Sequence, residues 1–214
     1  MRSILVPTIA FVSVAHAATI NVGNEGFGGG LNNWPGGEPP SAVIDGAGQK
    51  YLNFGGENTG FVVTPTAGGI PTSITAWAAN DAIERDPASF WLGGTNGDSL
   101  TGDYTFIAGG LLSLPLSRNG GGGAELLADN SSSVNFDNDA AFSSYLVVFP
   151  TLKDAGSANS MQVADVQLFD AAGTGIFAPG DTILGVQVDG ALVPEPSTGL
   201  LALVGLAGLL RRRR

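Results

Sequence analysis

Between residues 18 and 191, clusters of glycine, proline, asparagine or aspartate interrupt this chain every ten residues or so. These residues set the φ angles and side-chain bonds of tight turns, so each cluster ends whatever element precedes it. The intervals are too short for ordinary helices, and none sustains a 3.6-residue apolar period over three turns. "GGAELLAD" has room for a single helical turn. The intervals are instead rich in β-branched and aromatic residues: "YLNF" (51–54), "GFVVTP" (60–65), "TSITAWA" (72–78), "ASFWLGG" (88–94), "DYTFIA" (103–108), "SSYLVVFP" (143–150), "MQVADVQLF" (161–169) and "TILGVQV" (182–188). In the seventh, Ala164, Val166 and Leu168 alternate with Asp165 and Gln167, the two-residue period of a strand with one buried face. Many short strands at this spacing predict an all-β antiparallel sandwich.

No period of 20–50 residues repeats, which excludes propellers and solenoids. The glycine-rich pieces "GFGGGLNNWPGGEPP" (26–40) and "RNGGGGAE" (118–125) read as loops, the second in part disordered. Neither sits in a strand–loop–helix unit, so neither is a phosphate cradle. The stretch 109–142 is not assigned a place in the sheets.

Charge narrows the partners. The basic residues are Arg2, Lys50, Arg85, Arg118, Lys153, Arg211, Arg212, Arg213 and Arg214. With Met1–Ala17 and the tail after Pro196 set aside, four basic residues face all 19 acidic ones, a net of −15. Such a surface repels nucleic acid and anionic lipid, and suits calcium, neutral sugars or a cationic partner. There is no cysteine, and the only histidine is His16. Once His16 is removed with the leader described below, Ser-His-Asp and Cys-His catalysis and ordinary zinc sites are excluded.

What remains for catalysis is a carboxylate pair, such as Glu84 with Asp86 in "NDAIERDP" or Asp137 with Asp139 in "FDNDA". A glycan hydrolase would need two carboxyl groups about 5–10 Å apart across a cleft. Residues two apart on one loop flank a sugar poorly, so such an enzyme predicts carboxylates from different loops. The alternative is solvated turns. Arg85, among Asp81, Glu84 and Asp86, reads as a clamp on its loop. Trp34, in a Gly-Pro loop, is the candidate ring for stacking on a sugar, against ordinary loop packing. Trp77 and Trp91 fall on strands and read as core.

The two ends read as addresses. "MRSILVPTIAFVSVAHA" has one basic residue, an apolar stretch from Ile4 to Val14 and a small-x-small site, a secretory leader cut after Ala17. A buried first strand is the alternative. At the other end, Thr198 to Leu210 is an uncharged run of thirteen residues. As a helix it spans about 20 Å, short of a hydrocarbon layer of roughly 30 Å. Arg211, Arg212, Arg213 and Arg214 would hold it from the cytoplasmic side. The run is a short transmembrane helix, a transient stop. Val193-Pro194-Glu195-Pro196, this run and the four terminal arginines together resemble the PEP-CTERM sorting signal of Gram-negative bacteria. The resemblance implies an exosortase that cleaves near Pro194, Glu195 and Pro196 and releases or attaches the domain outside the cell. A plain C-terminal anchor is the alternative.

Three stretches carry a second resemblance: "SAVIDGAGQKYLNF" (41–54), "WAANDAIERDPASFWLGGTNGD" (77–98) and "SSYLVVFPTLKDAGSANSMQVADVQLFD" (143–170). In order and spacing they are similar to the discoidin, or galactose-binding-like, jelly roll of many carbohydrate-binding modules. The resemblance implies a jelly-roll β-sandwich and a structural calcium between the early Asp-Gly loop and the closing strand, positions matched by Asp45 and Asp165. The loop Asp45-Gly46-Ala47-Gly48-Gln49-Lys50 lacks the second acidic residue common in relatives. Asp45 as a turn-former and Asp165 as a plain strand residue are the alternatives.

The expected organisation is a leader at 1–17, a β-sandwich at 18–192 and a sorting segment at 193–214. The expected function is non-catalytic: binding or structuring exopolysaccharide at the cell surface or in the matrix, after passage through an inner-membrane intermediate. A carboxylate-based glycan hydrolase and a surface protein with no specific ligand are the alternatives.

Overall fold

The computed structural model describes residues 18–26 and 31–190. Two sets of expectations lie outside these residues. One is the leader with its cut after Ala17. The other is the sorting segment: Pro194, Glu195 and Pro196, the apolar run, and Arg211, Arg212, Arg213 and Arg214. Thirteen strands and three short 3-10 turns make up the described chain, with no α-helix among them. No described helix is long and apolar enough to cross a membrane.

The larger sheet has six strands. They are β1 (Thr19–Val22), β5 (Thr59–Thr64), β7 (Ser89–Thr95), β8 (Thr105–Leu111), β10 (Ser144–Phe149) and β13 (Thr182–Asp189), in the order β1-β13-β5-β10-β7-β8. All neighbours run antiparallel, and a bulge between Leu92 and Gly93 shifts the β7–β8 register. A smaller sheet orders β12 (Asp165–Phe169), β6 (Ser73–Trp77) and β9 (Ser131–Asn135), again antiparallel. Two ribbons complete the set: β4 (Tyr51–Asn53) with β11 (Met161–Val163), and the parallel pair β2 (Asn24–Glu25) and β3 (Asn33–Trp34).

The main core lies where inward residues of the large sheet meet the smaller sheet and the ribbons. Phe61, Val63, Leu92, Tyr145, Val147 and Phe149 meet Ile74, Met161, Val166 and Leu168, all without exposed surface. Phe61 contacts the rings of Phe149 and Phe177 at centroid distances of 6.3 and 6.4 Å. Each such side chain contributes about 1.5–3 kcal/mol by leaving water, so this interface holds the layers together.

The eight segments expected to be strands all form strands. "MQVADVQLF" divides at Ala164, whose N–H donates to the Trp77 carbonyl. The chain thereby leaves β4 and joins β6, and Asp165 opens the new strand opposite Trp77. The 109–142 region supplies the end of β8 and all of β9. The loop 118–125 is pinned rather than loose. Asn119 is buried, donates to the Ala78 carbonyl at 2.7 Å and accepts from the Leu127 N–H at 2.9 Å.

Candidate functional site

The two carboxylates matched to a calcium site come together. A 3-10 turn, Pro40–Ile44, buries Ala42, Val43 and Ile44 and so fixes where Asp45 emerges. Asp45 Oδ1 accepts the Ala47 N–H at 2.8 Å, closing a local Asx turn. Gly46 takes φ +74°, which suits glycine, and its N–H donates to Asp165 Oδ2 at 2.8 Å. Asp165 is only 3% exposed. Burial pushes its carboxyl up to about 7; the Gly46 N–H pulls it back and the charge of Asp45 pushes it further. Asp45 is itself raised by burial, against the Ala47 N–H.

Two neighbouring carboxylates crowded in this way suit a hard cation, which would relieve both. They supply only part of the six to eight oxygens such an ion takes. Among the described residues no group of three or more His, Cys, Asp or Glu could hold a metal ion. Any further ligands at Asp45 and Asp165 would be backbone carbonyls or water.

The clamp expected of Arg85 is made by other residues. Asp86 has no exposed surface; Arg118 grips it through both guanidinium ends, Nη1 to Oδ1 and Nη2 to Oδ2, each at 2.8 Å. Lys153 Nζ adds a third contact at 2.8 Å to Oδ2. Arg85 forms none of the side-chain ion pairs among the described residues, and its Nε is buried without a partner. The reason is chain direction. Residues 83–85 form a one-turn 3-10 segment that ends in extended Asp86, and Asp86 faces the 115–118 loop instead. Lys50 does the same for Asp81, reaching both its oxygens at 2.8 Å, with Glu38 at 3.4 Å. Burial would raise Asp81, but the Lys50 hydrogen bond and charge hold it below its ordinary value.

The proposed catalytic pairs separate accordingly. Asp86 is spent on Arg118 and Lys153, so Glu84–Asp86 is not a free pair. Asp137 and Asp139 are exposed and line an open cleft of about 520 Å³ with Thr72, Phe136 and Asn138. They lie two apart on one loop. A second described cleft, of about 290 Å³, is lined by Phe54, Leu152, Asn159 and Ser160 and has Glu57 as its acid. Neither cleft brings together carboxylates from different loops.

Trp34 is half-buried on β3, its ring edge-on to Tyr51 at 6.2 Å. A methyl group at Gly23 or Gly185 would meet that ring at 2.6 Å. The indole is therefore committed to packing. Trp77 is half-buried at the end of β6, and Trp91 is buried, but on the outer side of the large sheet. Phe136 is a residue that the sequence alone does not mark. Its signal was slight, an aromatic beside "DNDA" just after an unrecognised strand.

Cleft and carboxylate pair occupy opposite ends of the small sheet. Asp165, Trp77 and Ser131 align at one end, and Phe169, Ser73 and Asn135 at the other. Four residue steps separate them, about 13–14 Å.

The C-terminal segment matches the PEP-CTERM protein-sorting motif over residues 192–214, a span that takes in Pro194, Glu195 and Pro196 together with Arg211, Arg212, Arg213 and Arg214. No curated protein matches the chain in sequence. Similar solved structures include the family 32 carbohydrate-binding module of Clostridium perfringens NanJ in complex with galactose, at 13% identity, TM-score 0.43, covering 71% of this chain and 91% of that one. Another is the module CpGH89CBM32-5 from Clostridium perfringens in complex with GalNAc-β-1,3-galactose, at 12% identity, TM-score 0.45 and coverages of 72% and 94%. A third contains the CBM32-1 and CBM32-2 domains of Clostridium perfringens ZmpB, at 15% identity, TM-score 0.48, covering 72% of this chain and 35% of that one. This chain therefore carries a PEP-CTERM sorting motif behind an all-β domain, and the solved structures similar to that domain include family 32 carbohydrate-binding modules.

Proposed function

We propose that this is an exported, non-catalytic protein that binds or structures exopolysaccharide at the cell surface or in the extracellular matrix. The observation that carries the reading is the sorting motif at 192–214. It marks a protein exported and processed at the membrane. An exosortase would cut near Pro194, Glu195 and Pro196, after the apolar run has stopped briefly in the inner membrane with Arg211 to Arg214 inside.

The glycan part of the reading is supported by the discoidin-like motifs of 41–54, 77–98 and 143–170, and by surface charge. At a net charge of −14 over residues 18–192, the domain favours a neutral or cationic polymer over an anionic one. The Thr72–Phe136–Asp139 cleft suits a sugar best among the described surfaces: a half-buried ring beside Asp137, Asn138 and Asp139 offers an apolar face next to hydrogen-bond acceptors. Calcium would sit at Asp45 and Asp165, at the other end of the small sheet, and would brace the fold without touching the sugar.

Titration of the protein with polysaccharide from the producing cells tests this. Phe136→Ala should weaken binding about tenfold, within the range of one lost stacking contact, and Asp139→Asn should weaken it several-fold. Chelation of calcium should leave affinity unchanged at temperatures well below unfolding. Equal binding by all three proteins would exclude the cleft as the sugar site. No binding to any glycan, with or without calcium, would favour a purely structural surface protein.

A further inference from the structure

Asp137 and Asp139 stand where the cations of the domain do not reach. Four basic residues fall between residues 18 and 192: Lys50, Arg85, Arg118 and Lys153. All four gather at the 81–86 loop. Lys50 holds Asp81, Arg118 and Lys153 hold Asp86, and Arg85 lies within the loop itself. That loop follows Trp77, at one end of β6, whereas the cleft opens beside Ser73 and Asn135, at the other. The strand between them measures about 13–14 Å, beyond the screening length of about 8 Å at physiological ionic strength. Both carboxylates are exposed, and among the described residues neither enters an ion pair.

The side-chain donors of the lining are already spent. Asn138 uses its amide on its own loop: Nδ2 donates to the carbonyls of Pro71 at 3.0 Å and Ala140 at 2.8 Å, and Oδ1 accepts the Ala140 N–H at 3.3 Å. The Thr72 hydroxyl donates to the Phe169 carbonyl at 3.5 Å, and the Phe136 N–H donates to the Thr72 carbonyl. What remains for a ligand is the Phe136 ring and two carboxylates. A hard metal ion takes six to eight oxygens, and a ring supplies none. A cation carried on a sugar ring fits better, because its charge meets the carboxylates and the aromatic face together.

Resting on the sugar-binding reading of this cleft, we propose that it selects amino sugars: a ring bearing a protonated primary amine, in preference to the same sugar with that amine acetylated. An ammonium has three N–H donors to share between the carboxylates, and its charge is attracted to the ring face. The acetylated form has one amide N–H and no charge, so it covers the carboxylates without pairing them.

Titration with a soluble glucosamine oligosaccharide and with its N-acetylated counterpart tests this. The protein should bind the glucosamine form about tenfold more tightly, from part-exposed charge contacts and one ring contact, and added salt should shrink that margin. The overall negative charge attracts any cation, so paired variants separate the cleft from the bulk. Asp137→Asn with Asp139→Asn should remove the margin. Asp129→Asn with Asp154→Asn, which removes two exposed carboxylates elsewhere, should keep it. Equal affinity for the two sugars, or tighter binding of the acetylated one, would overturn the proposal and leave the glycan reading standing. A margin that both double variants keep, or both lose, would also overturn it, by assigning the preference to bulk charge. Binding of neither sugar would overturn it too, while titration with the cells' own polysaccharide decides the reading beneath it.

Discussion

Asp165 shows how one residue ties the fold to its chemistry. An unfolded carboxyl ionises near 3.8, whereas burial holds this one protonated up to about 7. Without metal, its contribution is fully favourable below the unfolded value and is lost as pH rises between about 4 and 7, at about 1.4 kcal/mol per unit. Above 7 the loss is complete and constant. Urea denaturation of the calcium-free protein should therefore show stability falling by a few kcal/mol from pH 4 to pH 7. Asp165→Asn should flatten the profile, and a stabilisation by calcium at pH 7.5 should vanish at pH 5. A wild-type profile as flat as that of the Asn variant would mean that Asp165 is not held protonated. The nearness of Asp45 and Asp165 was legible in the sequence through family resemblance. The depth of Asp165 was not, because alternation with Val166 and Leu168 put it on the outer face of its strand. The Pro40–Ile44 turn covers that face locally, and no two-residue period foresees a turn folded over from about 120 residues away.

Among elements, strands with β-branched and aromatic residues were readable and the short polar ones were not. β9 reads "SSSVN", with low intrinsic strand preference. It is a strand because β6 offers it a partner: Ser133 and Thr75 pair their hydroxyls at 2.8 Å, and Ser132 Oγ accepts the Ser113 N–H. β1, β2 and β3 likewise depend on partners distant in sequence or too short to leave a period. Loops follow a similar rule. Charge spacing pointed to Arg85 because it sits among Asp81, Glu84 and Asp86, but the bonds to Asp86 come from Arg118 and Lys153, 32 and 67 residues away. This knot ties three loops to one buried carboxylate. Removing one partner of a buried pair strands the others, at a cost of about 3–5 kcal/mol. Asp86→Ala should lower stability by that amount in chemical denaturation, whereas Arg85→Met should change it by less than about 1 kcal/mol. Equal losses would return the clamp to Arg85.

At the scale of the whole molecule, the chain is an acidic all-β domain between two apolar ends, and on the proposed reading those ends decide where the domain works. The fate of the C-terminus matters most to the proposed function. Its most direct test is intact-mass analysis of the protein recovered from the medium and envelope of the producing cells, with and without their exosortase. Residues 1–17 should be lost in both strains, and the segment beyond Pro194-Glu195-Pro196 only where the exosortase is present. A protein that keeps Arg211, Arg212, Arg213 and Arg214 in normal cells would contradict the sorting reading, and would leave a short-anchored membrane protein in its place.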